Sequence, residues 1–506
     1  MSKNDKCEIA DGKDISQYQM FEEGIRGGIS VINHRYAKAN NRYLPDHDDT
    51  KESNFIYDID ANNLYGLAMS MKMPVDGIET MESEEIQDKL SESLIKSYDE
   101  DSSTGYILEV DLSIPNHIHN KLSDLPLAPE HMEITDEMIS PHSRYLRNNR
   151  KHSEKFASKK LAPNLYSKER YVVHILLLKF YLEEGVILNK IHTAIKFNQE
   201  AWIAPYIAEN TRKRQLAQDE FERDYYKLLN NSFFGKTMEQ VRKRRDIKLV
   251  SNERQHQWQV SKPGFKRFVK FGKNLIGLEV KKTVVLLDKP IILGFCILEL
   301  SKLWMFHMHY REIMPRYPQA KLLKMDTDSF LYDIRTGEKD FDLYNDISED
   351  PEFYDLFDFS NLDPNHPLYS LENHAVLGKF KDEVRGCIIE EYVGLRSKMY
   401  SIKVYDQGMK GQPTHKHTAP GTKKSKAQTL THDDYVRVLR QEDIINRFST
   451  DIFVDKDLFI EQTTIRSFNH QLKTITQRRV ALSAYDDKRY ILEDGITTRA
   501  YGHFLN

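Results

Sequence analysis

The segment Lys321-Leu322-Leu323-Lys324-Met325-Asp326-Thr327-Asp328-Ser329-Phe330-Leu331-Tyr332 constrains the fold of this chain most strongly. An apolar run meets a tight acidic step and resumes as a second apolar run, which predicts two strands joined by a turn. Asp326 and Asp328, at i and i+2, stand at that turn. A hard cation can be held there, because Mg²⁺ takes one or two carboxylates and fills its shell with phosphate oxygens. Asp is also frequent in turns that bind nothing, where it bonds its own backbone. The meaning of the step therefore depends on what other segments bring to it.

A second acidic strand is predicted at Phe55-Ile56-Tyr57-Asp58-Ile59-Asp60, followed by a turn at Ala61-Asn62-Asn63-Leu64-Tyr65-Gly66. Apolar and acidic residues alternate as in a half-buried strand, with Asp58 and Asp60 on one face. A calcium loop of the EF-hand type does not fit. Its sixth position would be Asn63 rather than Gly and its twelfth Met69 rather than Glu, and the Asp326 turn fails likewise at Leu331. Two acidic strand ends from distant parts of a chain suit phosphoryl transfer with a metal pair about 3.5–4 Å apart. A third element, Arg223 to Lys236, reads as a helix with Arg223, Lys227 and Asn231 in one stripe that Phe234 extends. Cation, cation, amide and aromatic ring is an order that can grip a nucleotide from triphosphate to base. The plain alternative is a solvated face with Phe234 in the core.

The remaining sequence sets bounds. Length suggests about three domains, and a net charge of −4 neither supports nor excludes a nucleic-acid partner. Cys7, Cys296 and Cys387 are too dispersed for a disulfide framework or a metal-ligand pair, which suits a reducing compartment. The N-terminus has no apolar signal region, and Lys179 and Asp288-Lys289-Pro290 break the longest apolar stretches. A soluble intracellular protein with no membrane span is expected, nucleus or cytoplasm being left open. Residues 105–112 read as a strand, residues 116–170 as irregular, and 199–245 as helical. Residues 246–285 read as β-hairpin material around Pro263-Gly264, and Ile291 to Met308 as a buried helix. The basic run Arg144, Arg147, Arg150, Lys151, Lys155, Lys159 and Lys160 is either a solvated loop or a phosphate contact. The cluster Tyr485-Asp486-Asp487-Lys488-Arg489-Tyr490 reads as a surface turn.

Five segments, in order, resemble the motifs of family B DNA polymerases, and the protein-primed branch in particular, which occurs in phages, linear plasmids, adenoviruses and Polinton-type transposons. Ile25-Arg26-Gly27-Gly28 resembles Y-x-G-G. Asp60 to Gly66 resembles D-x-x-S-L-Y-P, and Lys227 to Gly235 resembles K-x-x-x-N-S-x-Y-G. Asp326-Thr327-Asp328-Ser329 is D-T-D-S itself, and Lys398-Met399-Tyr400 resembles K-x-Y. Ile25, Asn63, Gly66 and Phe234 depart from the family's Tyr, Ser, Pro and Tyr; at Phe234 the ring is kept and the hydroxyl lost.

The resemblance implies an α+β right-hand polymerase: a palm with an antiparallel sheet, helical fingers and a small thumb. It divides the chain into a polar lead-in 1–24, palm 25–115, a protein-primed-type insertion 116–195 and fingers 196–245. A second, hairpin-like insertion 246–285, palm 286–385, and thumb with extension 386–506 follow. It implies template-directed addition of deoxynucleotides to a primer 3′-hydroxyl, with two Mg²⁺ ions (Mn²⁺ as a substitute) on Asp60 and Asp328 and support from Asp326. Leu64, Tyr65, Arg223, Lys227, Asn231 and Phe234 would hold the nucleotide, with Arg214 as a further cation. Arg26, Gly27, Gly28, Lys398 and Tyr400 would meet DNA, Lys398 and Tyr400 from one strand. The lysines at 423, 424 and 426 would join the basic run on phosphates. Expected partners are primer-template DNA, deoxynucleoside triphosphates and a terminal priming protein, with a monomeric chain. Only about 24 residues precede the first motif, too few for the family's 3′→5′ exonuclease, so either proofreading is absent or the chain is a fragment. Two other readings stand beside this one: a decayed polymerase that binds DNA without catalysis, and a D-x-D glycosyltransferase, which has no use for the Lys227–Phe234 stripe.

Overall fold

The computed structural model describes residues 15–148, 159–281, 285–405, 415–445, 454–468 and 471–506. Arg150, Lys151 and Lys155 of the basic run, Cys7 and most of the lead-in lie outside the described residues. The fold is α+β with antiparallel sheets, as expected. Nine described strands form the main sheet. Its path runs Ser30–Ile32, Lys321–Asp326, Ser329–Arg335, Asn54–Ala61, Ile389–Arg396, Met399–Val404 and His415–Thr418. Phe380–Asp382 also pairs with Asn54–Ala61, and Tyr36–Lys38 with Ile389–Arg396. The two acidic segments are thus neighbouring strands near the centre of one sheet.

Asn54–Ala61 corrects the half-buried reading. Every residue in it is buried except Asp60, because a central strand has protein on both faces. Asp58 is tolerated there only through its partners: Lys324 Nζ at 3.0 Å and Lys416 Nζ at 3.1 Å. Burial alone would push this carboxyl up, but the two ammonium groups outweigh it and hold Asp58 below its ordinary range.

Helix Ile291–His307 is apolar all round and almost wholly buried, as a core helix is. Ile291–Arg316 is the one described helical stretch long and apolar enough to cross a membrane, and it is largely covered by protein. Against it pack helices Ile15–Gly24, Leu64–Ser70, Ile175–Glu183 and Glu220–Thr237. Asp219 caps the last of these by accepting from Glu222 N at 2.8 Å, and two glutamates in its first turn suit the positive end of the helix.

A separate four-stranded antiparallel sheet orders Met73–Thr80, Ile187–Glu200, Thr104–Ser113 and Lys168–His174. It crosses the expected boundaries at 115/116 and 195/196, because strands 104–113 and 187–200 pair along most of their length. Residues 116–170, read as irregular, carry short helices and strands. In the segment 246–285, strands Asp246–Val250, Leu275–Val280 and Phe265–Gly272 form a sheet. The hairpin turns at Lys273-Asn274 rather than at Pro263-Gly264, which links helix Glu253–Val260 to its following strand.

The cluster 485–490 is not a surface turn. Arg489 is 1% exposed and donates to Thr498 Oγ1 and Ser123 O. The C-terminal stretch returns to the main sheet, where Arg35, also 1% exposed, donates to the carbonyls of Gly495, Leu395 and Ala484. A planar guanidinium serves three carbonyls at once, which an ammonium cannot do in the same geometry. Replacing Arg35→Met strands three buried acceptors and is expected to cost about 3–5 kcal/mol. Arg35→Lys should recover only part of this, as read from urea midpoints at an unchanged m-value.

Candidate active site

The site is built on strand register. Ser329 lies opposite Asp60, and Asp326 opposite Ser329. Between the two hairpin strands, Asp328 N donates to Asp326 O at 2.8 Å and closes a tight turn around Thr327, whose φ is +63°. The turn is tied on both sides: Thr327 N donates to Ile29 O at 2.7 Å, and Ala61 N to Asp328 O at 2.8 Å. Asp60 and Asp328 therefore emerge side by side at the end of the sheet.

Two hollows meet at this pair. One, of about 310 Å³, is lined by Asp60, Leu64, Tyr65, Arg214, Lys227, Asn231, Phe234, Asp328 and Lys381, among others. The other, of about 290 Å³, is lined by Asp60, Lys324, Asp326, Asp328, Glu383, Lys398, Tyr400 and Lys416, among others. Thus the three motif segments, about 270 residues apart at the extremes, converge on one place. Asp60, Asp328 and Thr327 are common to both hollows.

Tyr65 and Phe234 form a wall of the first hollow, with ring centroids 4.5 Å apart and planes at 30°. Tyr65 is set by the turn before it. Asn63, at φ +45°, caps helix Leu64–Ser70 by accepting from Gly66 N. Its side chain lies so close over Gly66 that a Cβ there would stand 2.3 Å from Nδ2. The two departures from the family pattern in this turn, Asn63 and Gly66, are therefore one feature: the amide of the first fills the space where a side chain of the second would sit. Arg214, on helix Ala204–Leu216, faces the cleft beside Lys227, whereas Arg223 is exposed and does not line it. Burial pulls the Arg214 guanidinium down somewhat from its ordinary value.

The carboxylates differ in setting. Burial first, then the charge of Asp328, push Asp60 up to about 7, against the pull of Lys381, whose Nζ is 3.2 Å away. Burial also raises Asp328, with the Asp326 charge adding and its own backbone hydrogen bond opposing. Asp326 is ion-paired to Lys398 at 2.9 Å. Among the described residues no group of three or more His, Cys, Asp and Glu side chains could hold a metal. The donor set is a pair, Asp60 and Asp328, which repel each other in a partly desolvated cleft. Two such carboxylates with room for phosphate oxygens suit Mg²⁺.

The expected DNA-contact residues separate. Arg26 is 7% exposed, donates to Gly24 O and Val172 O, and lies 3.7 Å over the Tyr171 ring. This corrects the expectation of a DNA contact there: the guanidinium is buried and held inside the fold, by Nη1 on two carbonyls and by the Tyr171 ring. Gly27 faces open space, while a Cβ at Gly28 would stand 2.4 Å from Thr327 Cγ2. Gly28 thus makes room for the Asp326–Asp328 turn. Lys398 sits in a turn with φ +61°, not in a strand with Tyr400, because the strands break at Ser397-Lys398. Tyr400 is 8% exposed, with Lys324 Nζ 4.8 Å from its ring centroid. Arg144 and Arg147 are engaged with Asp136, Lys160 with Asp487, and Lys423 with Thr463 O.

Sequence reasoning missed Lys381, Glu383, Lys324 and Lys416. The only signal for Lys381, Glu383 and Lys416 is alternation, in Lys379-Phe380-Lys381-Asp382-Glu383 and His415-Lys416-His417, and Lys324, inside an apolar run, has none. Gly28→Ala is expected to destabilise the turn by about 2 kcal/mol through overpacking. Adding Thr327→Gly, which removes the obstructing side chain and suits a positive φ, should restore most of that loss. A double-mutant cycle of denaturation midpoints checks it.

No family model matches the sequence, and no curated protein matches it. Solved structures of Phi29 DNA polymerase are similar to the chain at low identity. For the ternary complex with primer-template DNA and incoming nucleotide, the TM-score is 0.49 and the identity 14% over 93% of this chain. For the post-translocation binary complex with primer-template DNA the values are 0.48, 12% and 92%, and for the complex with single-stranded DNA 0.48, 13% and 93%. The chain spans about 63% of the length of those polymerases. At a TM-score below 0.5, the geometry of the cleft, and not the likeness, is the ground for a function.

Proposed function

We propose that this chain is a DNA-directed DNA polymerase with a right-hand arrangement, adding deoxynucleotides to a primer 3′-hydroxyl. One observation carries the reading. Asp60–Tyr65, Lys227–Phe234 and Asp326–Asp328, dispersed in sequence, line adjoining hollows that share Asp60 and Asp328. The first hollow has the contents of a nucleotide site and the second those of a primer-end site.

Asp60 and Asp328 would hold a pair of Mg²⁺ ions, with Asp326 and its Lys398 partner in support. When bound, the ions lower the pKa of the attacking hydroxyl and steady the charge on the leaving pyrophosphate. Lys227 and Arg214 neutralise the triphosphate from the helical wall, at fixed positions that need no reorganisation as charge develops. Arg223, exposed and outside the lining, takes no part in this grip. Asn231 and Phe234 pack on the nascent base pair, and Tyr65, held by the Asn63 cap and the Phe234 ring, lies under the sugar and excludes a 2′-hydroxyl. Lys398 and Tyr400 face the primer end.

The primer-template duplex needs cationic surface. The unit Asp246–Val280 exposes Trp258, Phe268 and Phe271 together with Lys248, Lys270 and Lys273, a mixture of rings and charges that suits nucleic acid. Protein priming, and with it a terminal priming protein as partner, follows from the branch that the motifs resemble.

A template-dependent incorporation assay with Mg²⁺ is the direct test. Asp328→Asn should abolish extension, by about 10³-fold or more, while DNA binding by mobility shift stays at the parent level; retained extension would sink the metal assignment. Tyr65→Ala should admit ribonucleotides, and unchanged discrimination between dNTP and rNTP would refute the steric gate.

A further inference from the structure

The cations around the cleft are unequally placed. Arg214 and Lys227 stand on the helical wall opposite the carboxylates, whereas Lys381 stands among them. Strand Phe380–Asp382 pairs with Asn54–Ala61 so that Lys381 lies opposite Asp60. Its Nζ is 3.2 Å from Asp60 Oδ2 and 3.6 Å from Glu383 Oε1. Glu383 Oε2 is 3.0 Å from Lys416 Nζ, and that ammonium is 3.1 Å from Asp58 Oδ2. Asp58 Oδ1 is 3.0 Å from Lys324 Nζ.

Six charges of alternating sign thus run from the buried floor of the sheet to its reactive end: Lys324, Asp58, Lys416, Glu383, Lys381 and Asp60. The floor is fixed, since the side chains of Asp58 and Lys324 are 0% and 2% exposed. Lys381 is 33% exposed. It is the last cation of the series, tethered by Glu383, with solvent on one side and the carboxylate pair on the other. A monovalent donor at this spot relieves the repulsion between Asp60 and Asp328. It also opposes any second cation that approaches the same oxygens, because like charges a few ångströms apart repel strongly where water is partly excluded.

We propose that Lys381 is the resident counter-ion of the Asp60–Asp328 pair: it neutralises the carboxylates while no divalent cation is bound, and competes with such a cation for Asp60. The inference deepens the metal assignment made above and rests on that part of it. Lys381 is then a positioning residue whose tether, Glu383 and Lys416, keeps the ammonium within reach when it is displaced.

The test is direct Mn²⁺ binding to the full chain at pH 8, by calorimetry and by the electron paramagnetic resonance signal of free Mn²⁺, with no DNA or nucleotide present. Lys381→Met and Lys381→Gln should each bind Mn²⁺ about tenfold tighter than the parent, and Lys381→Arg should bind as the parent does. Unchanged or weaker Mn²⁺ binding in both neutral variants would overturn the counter-ion. Two neutral side chains guard against a folding defect in either, and a part-exposed site limits that risk. Primer extension by the parent chain, measured alongside, separates the two ideas. Extension with unaltered Mn²⁺ binding in the variants leaves the polymerase and removes the counter-ion. Tighter Mn²⁺ binding without extension by the parent does the reverse.

Discussion

The antiparallel register between Asn54–Ala61 and Ser329–Arg335 is the constraint on which the rest of the structure depends. It sets Ser329 opposite Asp60, and so places Asp60 beside the turn that carries Asp328. Because side chains alternate along a strand, a slip of one residue would send Asp60 to the other face and bring Ile59 to the cleft. The register is secured by burial at every neighbouring position, Tyr57, Ile59, Phe330 and Tyr332 among them. The apolar content of these strands is therefore the means by which two carboxylates more than 260 residues apart are held at one point.

The same sheet determines what its flanking elements must do. Ser30–Ile32 pairs with the strand that ends in Asp326, so the backbone just before it passes close to Thr327, and only a residue without a side chain fits at position 28. On the far side Phe380–Asp382 pairs with Asn54–Ala61 and brings Lys381 to Asp60. The C-terminal stretch closes the floor: Lys488 Nζ donates to Ser30 O at 2.9 Å, directly behind the residue opposite Asp326. The carboxylate end of the sheet is thus framed by segments from the start, middle and end of the chain.

Much of the site was legible because its residues sit where local pattern is strong. The acidic hairpin and the strand at Asp60 follow from alternation and turn chemistry, and the stripe Lys227, Asn231, Phe234 follows from helical spacing. What local pattern lacks is the partner across a sheet. Arg26 looks in sequence like a free cation beside two glycines, and only the approach of Val172 and Tyr171, about 145 residues away, shows where its donors go. Arg223 shares a stripe with Lys227, yet its neighbour Arg214 occupies the cleft, because two helices turning at 217–219 bring the end of the first toward the start of the second. Lys381 and Lys416 carried almost no signal, since a lysine in an alternating strand reads as a solvated residue until the opposing strand is known. The hairpin at 265–280 was misplaced for a related reason. Pro263-Gly264 is the stronger turn dipeptide, but pairing of Phe265–Gly272 with Leu275–Val280 sets the reversal at Lys273-Asn274.

Asp58 and Asp60 show how far context outweighs sequence position. They are two residues apart on one strand, on the same face, and alternation alone does not tell them apart. Asp58 is wholly buried, yet it is held below the ordinary carboxylate range because two ammonium groups share it. Asp60 is more exposed, yet it is pushed up to about 7, because one ammonium must serve it against burial and the neighbouring Asp328. Charge supply, not depth, separates them. A carboxylate with its full complement of cations is a structural anchor, with nothing to gain from another. A carboxylate left short of positive charge at the mouth of a cleft gains most from a cation brought by a substrate. The sheet builds both from one strand by giving the inner position two lysines and the outer position one.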